Sequence, residues 1–148
     1  MVIGGKKMQN SNDMQIEFAS NSLNESFARV AVAAFLSQLD PAVDELYDVK
    51  MAVSEAVTNS IIHGYDADPN RTIWIRCAYS DRLVTIEVKD EGKGIKNIDE
   101  AMQALFTTSE EDERAGLGFT VMQSMMDQVV VESEVGKGTK VTMTKTFY

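Results

Sequence analysis

Four short segments, each tied to a different kind of local structure, follow one another in this chain, and their order restricts the fold more than any overall property. Ser54-Glu55-Ala56-Val57-Thr58-Asn59 lies inside a stretch with helical periodicity. Asp90-Glu91-Gly92-Lys93-Gly94 ends a run that alternates as a strand. Gly116-Leu117-Gly118-Phe119 stands where a polar loop enters another helix, and Gly138-Thr139 opens a further strand. A fold that carries them has to gather a helix face, two strand termini and a glycine-rich loop around one space.

The intervening elements follow from pattern. Met1–Asp13 is polar and glycine-containing and reads as a flexible N-terminal segment; residues 14–148 read as a single domain. Met14–Ala19 alternates, with Ile16 and Phe18 on one face, as a first strand. Glu25–Leu39 carries Phe27, Val30, Ala31, Ala34 and Phe35 at helical spacing, which predicts that Phe27, Ala31 and Ala34 pack inward. Asp40-Pro41 reads as an N-cap followed by proline, opening a second helix that runs to about His63 and stops at Gly64. Thr72–Tyr79 and Leu83–Asp90 form a hairpin. Asn97-Ile98-Asp99-Glu100 resembles a capping box before a short helix. Phe106–Ala115 reads as a polar loop, Gly118–Met126 as a helix, and Val129–Glu134 with Thr139–Phe147 as a closing pair of strands. This succession indicates the α/β class, a mixed sheet with helices packed on one face.

The second helix has chemistry on it. At 100° per residue, Leu46, Val49, Val53, Val57 and Ser60 share one stripe, which faces the sheet. Glu55 and Asn59 project together from nearly the opposite side, with Cβ atoms about 6 Å apart. That side also holds Met51, Ala52 and Ile62, so the pair borders something other than bulk water. An aspartate at the end of a strand, as Asp90 is, can accept from an exocyclic amine; adenine offers one and guanine has a carbonyl there. Gly92 and Gly94 let backbone approach a flat ligand. Amides at the Gly116-x-Gly118 helix start suit an anion, and the hydroxyls and Arg114 of the adjacent loop could meet terminal phosphates. The pieces together describe a nucleotide pocket. His63, the only histidine, reads as a capping or packing residue, and Met122, Met125 and Met126 as core or subunit contacts.

Composition narrows the class. A formal charge of −9 over 148 residues argues against nucleic acid or an anionic membrane as direct partner. The single cysteine, Cys77, cannot form an internal disulfide and falls in an apolar strand, as a small core residue in a reducing compartment would. No apolar run approaches the ~18 residues of a spanning helix, and Met1–Asp13 lacks the apolar stretch of a signal peptide. A cytoplasmic location is the expectation.

In this order the four segments are similar to the N, G1, G2 and G3 boxes of the GHKL ATPase superfamily, which includes gyrase, Hsp90, histidine kinases and MutL. The resemblance spans roughly Met14 to Phe147. It is most specific in Ser54-Glu-Ala-Val-Thr-Asn-Ser-Ile-Ile-His-Gly64, in Phe106-Thr-Thr108 and in Gly116-Leu-Gly-Phe119. Within the superfamily the chain most closely resembles the anti-sigma serine kinases of sporulating bacteria, through Asn24-Glu-Ser-Phe-Ala-Arg29, Ala33-Ala-Phe-Leu-Ser-Gln-Leu-Asp-Pro41 and Val131-Glu-Ser-Glu-Val135. The chain has no room for a gyrase-type transducer domain, nor a dimerisation helix with a phosphoacceptor histidine.

The resemblance implies a two-layer α/β sandwich, the Bergerat fold, that dimerises and binds ATP with Mg²⁺. It implies Glu55 as the general base toward a serine hydroxyl and Asn59 as the Mg²⁺ ligand. Asp90 would take the adenine amine, with Gly92, Gly94 and Thr139 about the base. Thr107, Thr108 and Arg114 would belong to a lid, Arg114 neutralising the transferred phosphoryl group, and the amides of Gly116 and Gly118 would hold phosphates. Arg29 would dock both a sigma F factor and its rival, an anti-anti-sigma protein that is also the phosphorylation substrate. Two alternatives stay open: a general-stress anti-sigma kinase, and a non-catalytic module that uses nucleotide as a conformational ligand.

Overall fold

The computed structural model describes residues 2–3, 6–7, 10–102 and 110–148, with 2–3, 6–7 and 110–116 described by their backbone alone. Short strands β1 (Val2–Ile3) and β2 (Lys6–Lys7) pair with each other. The main sheet follows in β3 (Ser11–Ala19), β4 (Thr72–Ser80), β5 (Leu83–Asp90), β6 (Gln128–Glu134) and β7 (Gly138–Thr146). The helices are α1 (Asn24–Leu36), α2 (Val43–Asn59), α3 (Ile98–Ala101) and α4 (Glu110–Met125). Strand order across the sheet is β3-β4-β5-β7-β6. Alternate residues of β4 and β5, among them Ile73, Ile75, Cys77, Val84, Ile86 and Val88, point into the core beneath α1, α2 and α4, while the other face carries polar residues. This is the two-layer α/β sandwich expected.

Its strand directions differ from the mixed sheet expected, since all four ladders are antiparallel. The helical crossover from β5 does return the chain parallel to itself in β6. Strand β7 then inserts between the two, so no parallel neighbours result. Cys77 is fully buried, and burial pushes its thiol up to about 12, which makes it a packing residue.

Three local expectations are corrected. On α1 the residues that turn inward are Ala28, Val32 and Leu36, whereas Phe27 and Val30 are 52% and 58% exposed and Ala34 is exposed as well. The helix is apolar on two sides, so periodicity alone does not choose between them. The choice is made at its entry, where the Asn24 side chain donates to the Ala19 carbonyl and Phe27 meets the edge of Phe18. Asp40 does not cap α2: it sits at φ 48°, closing a 3-10 turn over Ser37–Leu39, a conformation that Asp tolerates. The N-cap is Ala42, whose N–H is taken by Glu45 at 2.9 Å. Finally, α4 starts at Glu110, so the second half of the expected loop is helical and Gly116 and Gly118 lie inside the helix rather than at its start.

Other expectations hold. Beyond Asn59 the helix widens into a π turn, Ser60–Gly64, ending at the glycine. The Asn97 side chain accepts from Glu100 N–H at the start of α3. One boundary moves: β3 begins at Ser11, three residues inside the N-terminal segment expected to be flexible and ahead of the hydrophobic alternation, because its ladder with β4 runs to the end of that strand.

Candidate functional site

The geometry centres on α2. One side of the helix packs on the sheet through Val49, Val53 and Val57; the side bearing Asp48, Ala52 and Ala56 turns toward α4. Glu55 and Asn59 reach the same helix. A methyl group built on Gly118 would stand 3.0 Å from Asn59 Nδ2 and 3.2 Å from Glu55 Oε2. Only a residue without a side chain fits that approach without displacement, which explains the glycine in α4. The structure therefore brings Glu55, Asn59 and Gly118 into one cluster.

Its electrostatics are unusual for a helix surface. Burial pushes the Glu55 carboxyl above its ordinary value, and the negative charge of Glu25 adds to the rise. Asn59 Nδ2 is buried with no hydrogen-bond partner, as is Ser54 Oγ. A buried amide left unpaired costs about 1–3 kcal/mol, so the site lacks a partner that the folded chain does not supply. Among the described residues, no group of three His, Cys, Asp or Glu side chains could hold a metal ion. The unpartnered Nδ2 is a donor and suits an acceptor such as a phosphate oxygen, while Oδ1 of the same carboxamide is the atom that could hold a divalent ion taking few protein ligands.

The second cluster lies at the end of β5. Asp90 is 4% exposed. Its Oδ2 accepts from Ser60 Oγ at 2.8 Å and its Oδ1 from Gly92 N–H at 2.9 Å. Burial raises its pKa, opposed by the donors Gly92, Ser60 and the Thr139 backbone and by the charge of Arg71. Backbone segments meet here at distances that exclude side chains. A methyl on Gly92 would stand 2.2 Å from the Gly64 carbonyl oxygen, and one on Gly138, at φ +125°, 2.1 Å from the Asp90 carbonyl oxygen. Gly94 turns at φ +76° against the Glu134 carbonyl. Thr139 pairs with Asp90 across the sheet, and its hydroxyl lies 2.8 Å from Ser133 Oγ, which also accepts from Ile95 N–H. Asp90, Gly92, Gly94 and Thr139 are thus assembled around one strand end, joined to the first cluster by the step from Asn59 to Ser60.

A clamp holds the turn after β5. Tyr65 Oη accepts from Glu91 N–H and donates to the Thr72 carbonyl, both at 2.6 Å. Arg71 stacks 4.6 Å over the Tyr65 ring and donates to the Glu91 carbonyl. Ser60, Gly64, Tyr65, Arg71 and Ser133 were not among the site residues foreseen. For Ser60 a signal existed, a hydroxyl at the end of an otherwise apolar stripe. Gly64 and Ser133 fell within the motif stretches Ser54–Gly64 and Val131–Val135, whereas Tyr65 and Arg71 gave no signal, since each acts through a contact distant in sequence.

The remaining candidates are placed as follows. Thr107 and Thr108 fall outside the described residues. Arg114 and Gly116 lie on α4. Arg29 lies on α1, its guanidinium 3.5 Å from Glu25 and the side chain 34% exposed. It is apart from the Asp90 cluster, but its partner Glu25 is the residue whose charge Glu55 feels.

Comparison with known proteins is consistent across most of the chain. The family described as histidine kinase-like ATPase domain matches residues 19–145. The anti-sigma F factor of Geobacillus thermodenitrificans is 59% identical over 134 residues, covering 90% of this chain and 92% of that protein. That of Thermoanaerobacter sp. strain X514 is 59% identical over 138 residues, covering 93% and 96%. That of Clostridium acetobutylicum is 57% identical, covering 92% and 94%. Among solved structures, the RsbU and RsbW domains of Rv1364c from Mycobacterium tuberculosis superimpose with a TM-score of 0.67 at 18% identity, over 92% of this chain and 32% of that one. At that identity the likeness concerns the fold alone.

Proposed function

The chain belongs to the anti-sigma F factors within the histidine kinase-like ATPase domain family, and from that premise we propose that it is an ATP-dependent protein-serine kinase that also sequesters sigma F. Its substrate is an anti-anti-sigma protein, and the setting is control of sporulation transcription in the cytoplasm. Among the described residues no helix is long and apolar enough to cross a membrane.

The observation that carries the reading is the desolvated Glu55 beside the unpartnered Asn59 amide. A carboxyl whose pKa is raised toward neutrality is a better proton acceptor than an ordinary glutamate. In the transfer step the substrate serine Oγ bonds to the γ-phosphorus as the bond to the β,γ-bridging oxygen breaks. The serine proton passes to Glu55 and ADP leaves. Asn59 would hold Mg²⁺, which offsets phosphate charge when bound. Asp90 accepts from the adenine amine while Gly92, Gly94 and Thr139 line the base. Arg114 neutralises charge on the phosphoryl group, and Thr107 and Thr108 contribute to the lid. The amides of Gly116 and Gly118 are helical in this structure. Presenting them to phosphate requires the start of α4 to unwind, which two glycines favour.

On the partner side, Arg29 shares α1 with Phe27 and Val30, and these and the preceding N-cap residue Leu23 are all more than half exposed. A guanidinium beside an apolar stripe supports α1 as a docking element for sigma F, the anti-anti-sigma protein or a second copy of the chain in a homodimer. The test is transfer of label from γ-labelled ATP to purified anti-anti-sigma proteins. Labelled phosphoserine is expected on one of them, and it should disappear with Glu55→Gln. ATP binding with no transfer to any of them would leave a nucleotide-dependent binding module instead.

A further inference from the structure

Among the described residues, Ser60 is the one hydroxyl that reaches the Asp90 carboxyl from another element. It stands at the first position of the π turn, 6% exposed, and donates from Oγ to Oδ2 at 2.8 Å. Gly92 N–H occupies Oδ1 at 2.9 Å. With the Thr139 backbone as a third donor, the protein serves three of the four lone-pair directions of the carboxylate and leaves one for a ligand. Among the described residues the charged group that acts on this carboxyl is Arg71, which favours its anion, and Tyr65, whose hydroxyl feels the Asp90 charge, holds the following turn.

We propose that Ser60 determines base selectivity: by donating to Asp90 it keeps that side chain an acceptor, aimed at an exocyclic amine and unable to serve a carbonyl. This rests on the reading of Asp90 as the adenine contact and goes beyond it by assigning the discrimination to a second residue. Guanine presents a carbonyl where adenine presents an amine. A carboxyl in an apolar site can become a donor by holding a proton, and burial pushes Asp90 that way. The Ser60 bond opposes this, because its proton is best accepted by the ionised form. Without the hydroxyl, Asp90 keeps its place through Gly92 and the Thr139 backbone but takes up a proton more readily, and a guanine carbonyl then finds a donor.

The experiment measures equilibrium binding of ATP and GTP to the full chain, wild type and variants, across pH 5.5 to 8.5, with thermal melting as the check on folding. In wild type ATP should bind in clear preference to GTP throughout. Ser60→Ala should narrow the ratio by about tenfold, the size expected for one hydrogen bond to a charged group. The narrowing should grow toward low pH, and Ser60→Thr, which keeps the hydroxyl, should restore both ratio and profile. A Ser60→Ala protein with the wild-type ratio and profile overturns the proposal. Should that variant melt too early to titrate, Ser60→Cys, a near-isostere with a weaker donor, is measured against the same two outcomes. Asp90→Ala, which leaves no acceptor, separates the premise from the proposal. Unchanged ATP affinity in Asp90→Ala removes Asp90 from the base contact and Ser60 with it. Lost ATP affinity there, with an unaltered Ser60→Ala, removes Ser60 alone.

Discussion

Replacing Gly118 by alanine sets two effects of opposite sign against each other. Inside a helix alanine is better than glycine by about 1 kcal/mol, which in a domain of this size moves the melting temperature by roughly 2–4 °C. Against this, the new methyl would stand 3.0 Å from Asn59 Nδ2 and 3.2 Å from Asn59 Oδ1 and Glu55 Oε2. Those neighbours are side-chain ends, which can give by a few tenths of an ångström. The contrast is Gly92, whose methyl would meet the Gly64 carbonyl oxygen at 2.2 Å, where backbone would have to move. Propensity should therefore win in the fold and contact should win at the site. The nucleotide-free protein is expected to melt no lower than wild type. Transfer is expected to fall roughly tenfold, a part of the ~10²-fold that a misplacement of about 1 Å can cost. ATP affinity should drop about fivefold, because a helix stiffer by about 1 kcal/mol resists unwinding. Calorimetric melting without nucleotide, ATP titration and single-turnover transfer measure the three effects. A melting temperature several degrees lower with transfer unchanged would refute the reasoning, since the contact would then burden the fold and spare the site.

Four further outcomes follow from the same geometry. Glu55→Gln should retain ATP binding and lose roughly 10²–10⁴-fold in single-turnover transfer. In wild type, transfer should rise with pH through the raised Glu55 value, and a wild-type rate that is flat across that rise would exclude Glu55 as base. Asp90→Asn should raise the nucleotide-free melting temperature at neutral pH. Burial lifts the folded-state pKa of Asp90 above its unfolded value near 3.8, so its stabilising contribution is complete below that value and lost as pH rises through the folded one. The gain should vanish in acid, and a gain that persists there would locate its cause elsewhere. Arg29→Glu should leave melting and ATP affinity unchanged while weakening capture of sigma F and of the anti-anti-sigma protein by roughly ten- to a hundredfold; wild-type titrations with both would take Arg29 out of the interface.

The sequence by itself determined the parts that depend on spacing along the chain. The fourfold interval between Glu55 and Asn59 places both on one helix face whatever the helix packs against. Alternation in Leu83–Asp90 puts Asp90 on the same side as Val84, Ile86 and Val88, hence indoors. Glycines at positions 92, 94 and 138 mark places where a side chain does not fit. Tertiary structure alone decided what those faces meet. Periodicity offered two apolar sides of α1, and only the docking of its first turn on β3 selected Ala28, Val32 and Leu36. Directions of neighbouring strands depended on β7 inserting between β5 and β6. The bond from Ser60 to Asp90 joins residues on different elements, and the approach of Gly118 to Glu55 and Asn59 depends on α4 crossing α2. The raised pKa of Glu55 belongs with that crossing, because desolvation of a carboxylate on a helix is set by what packs over it and leaves no trace in the residues beside it in the chain.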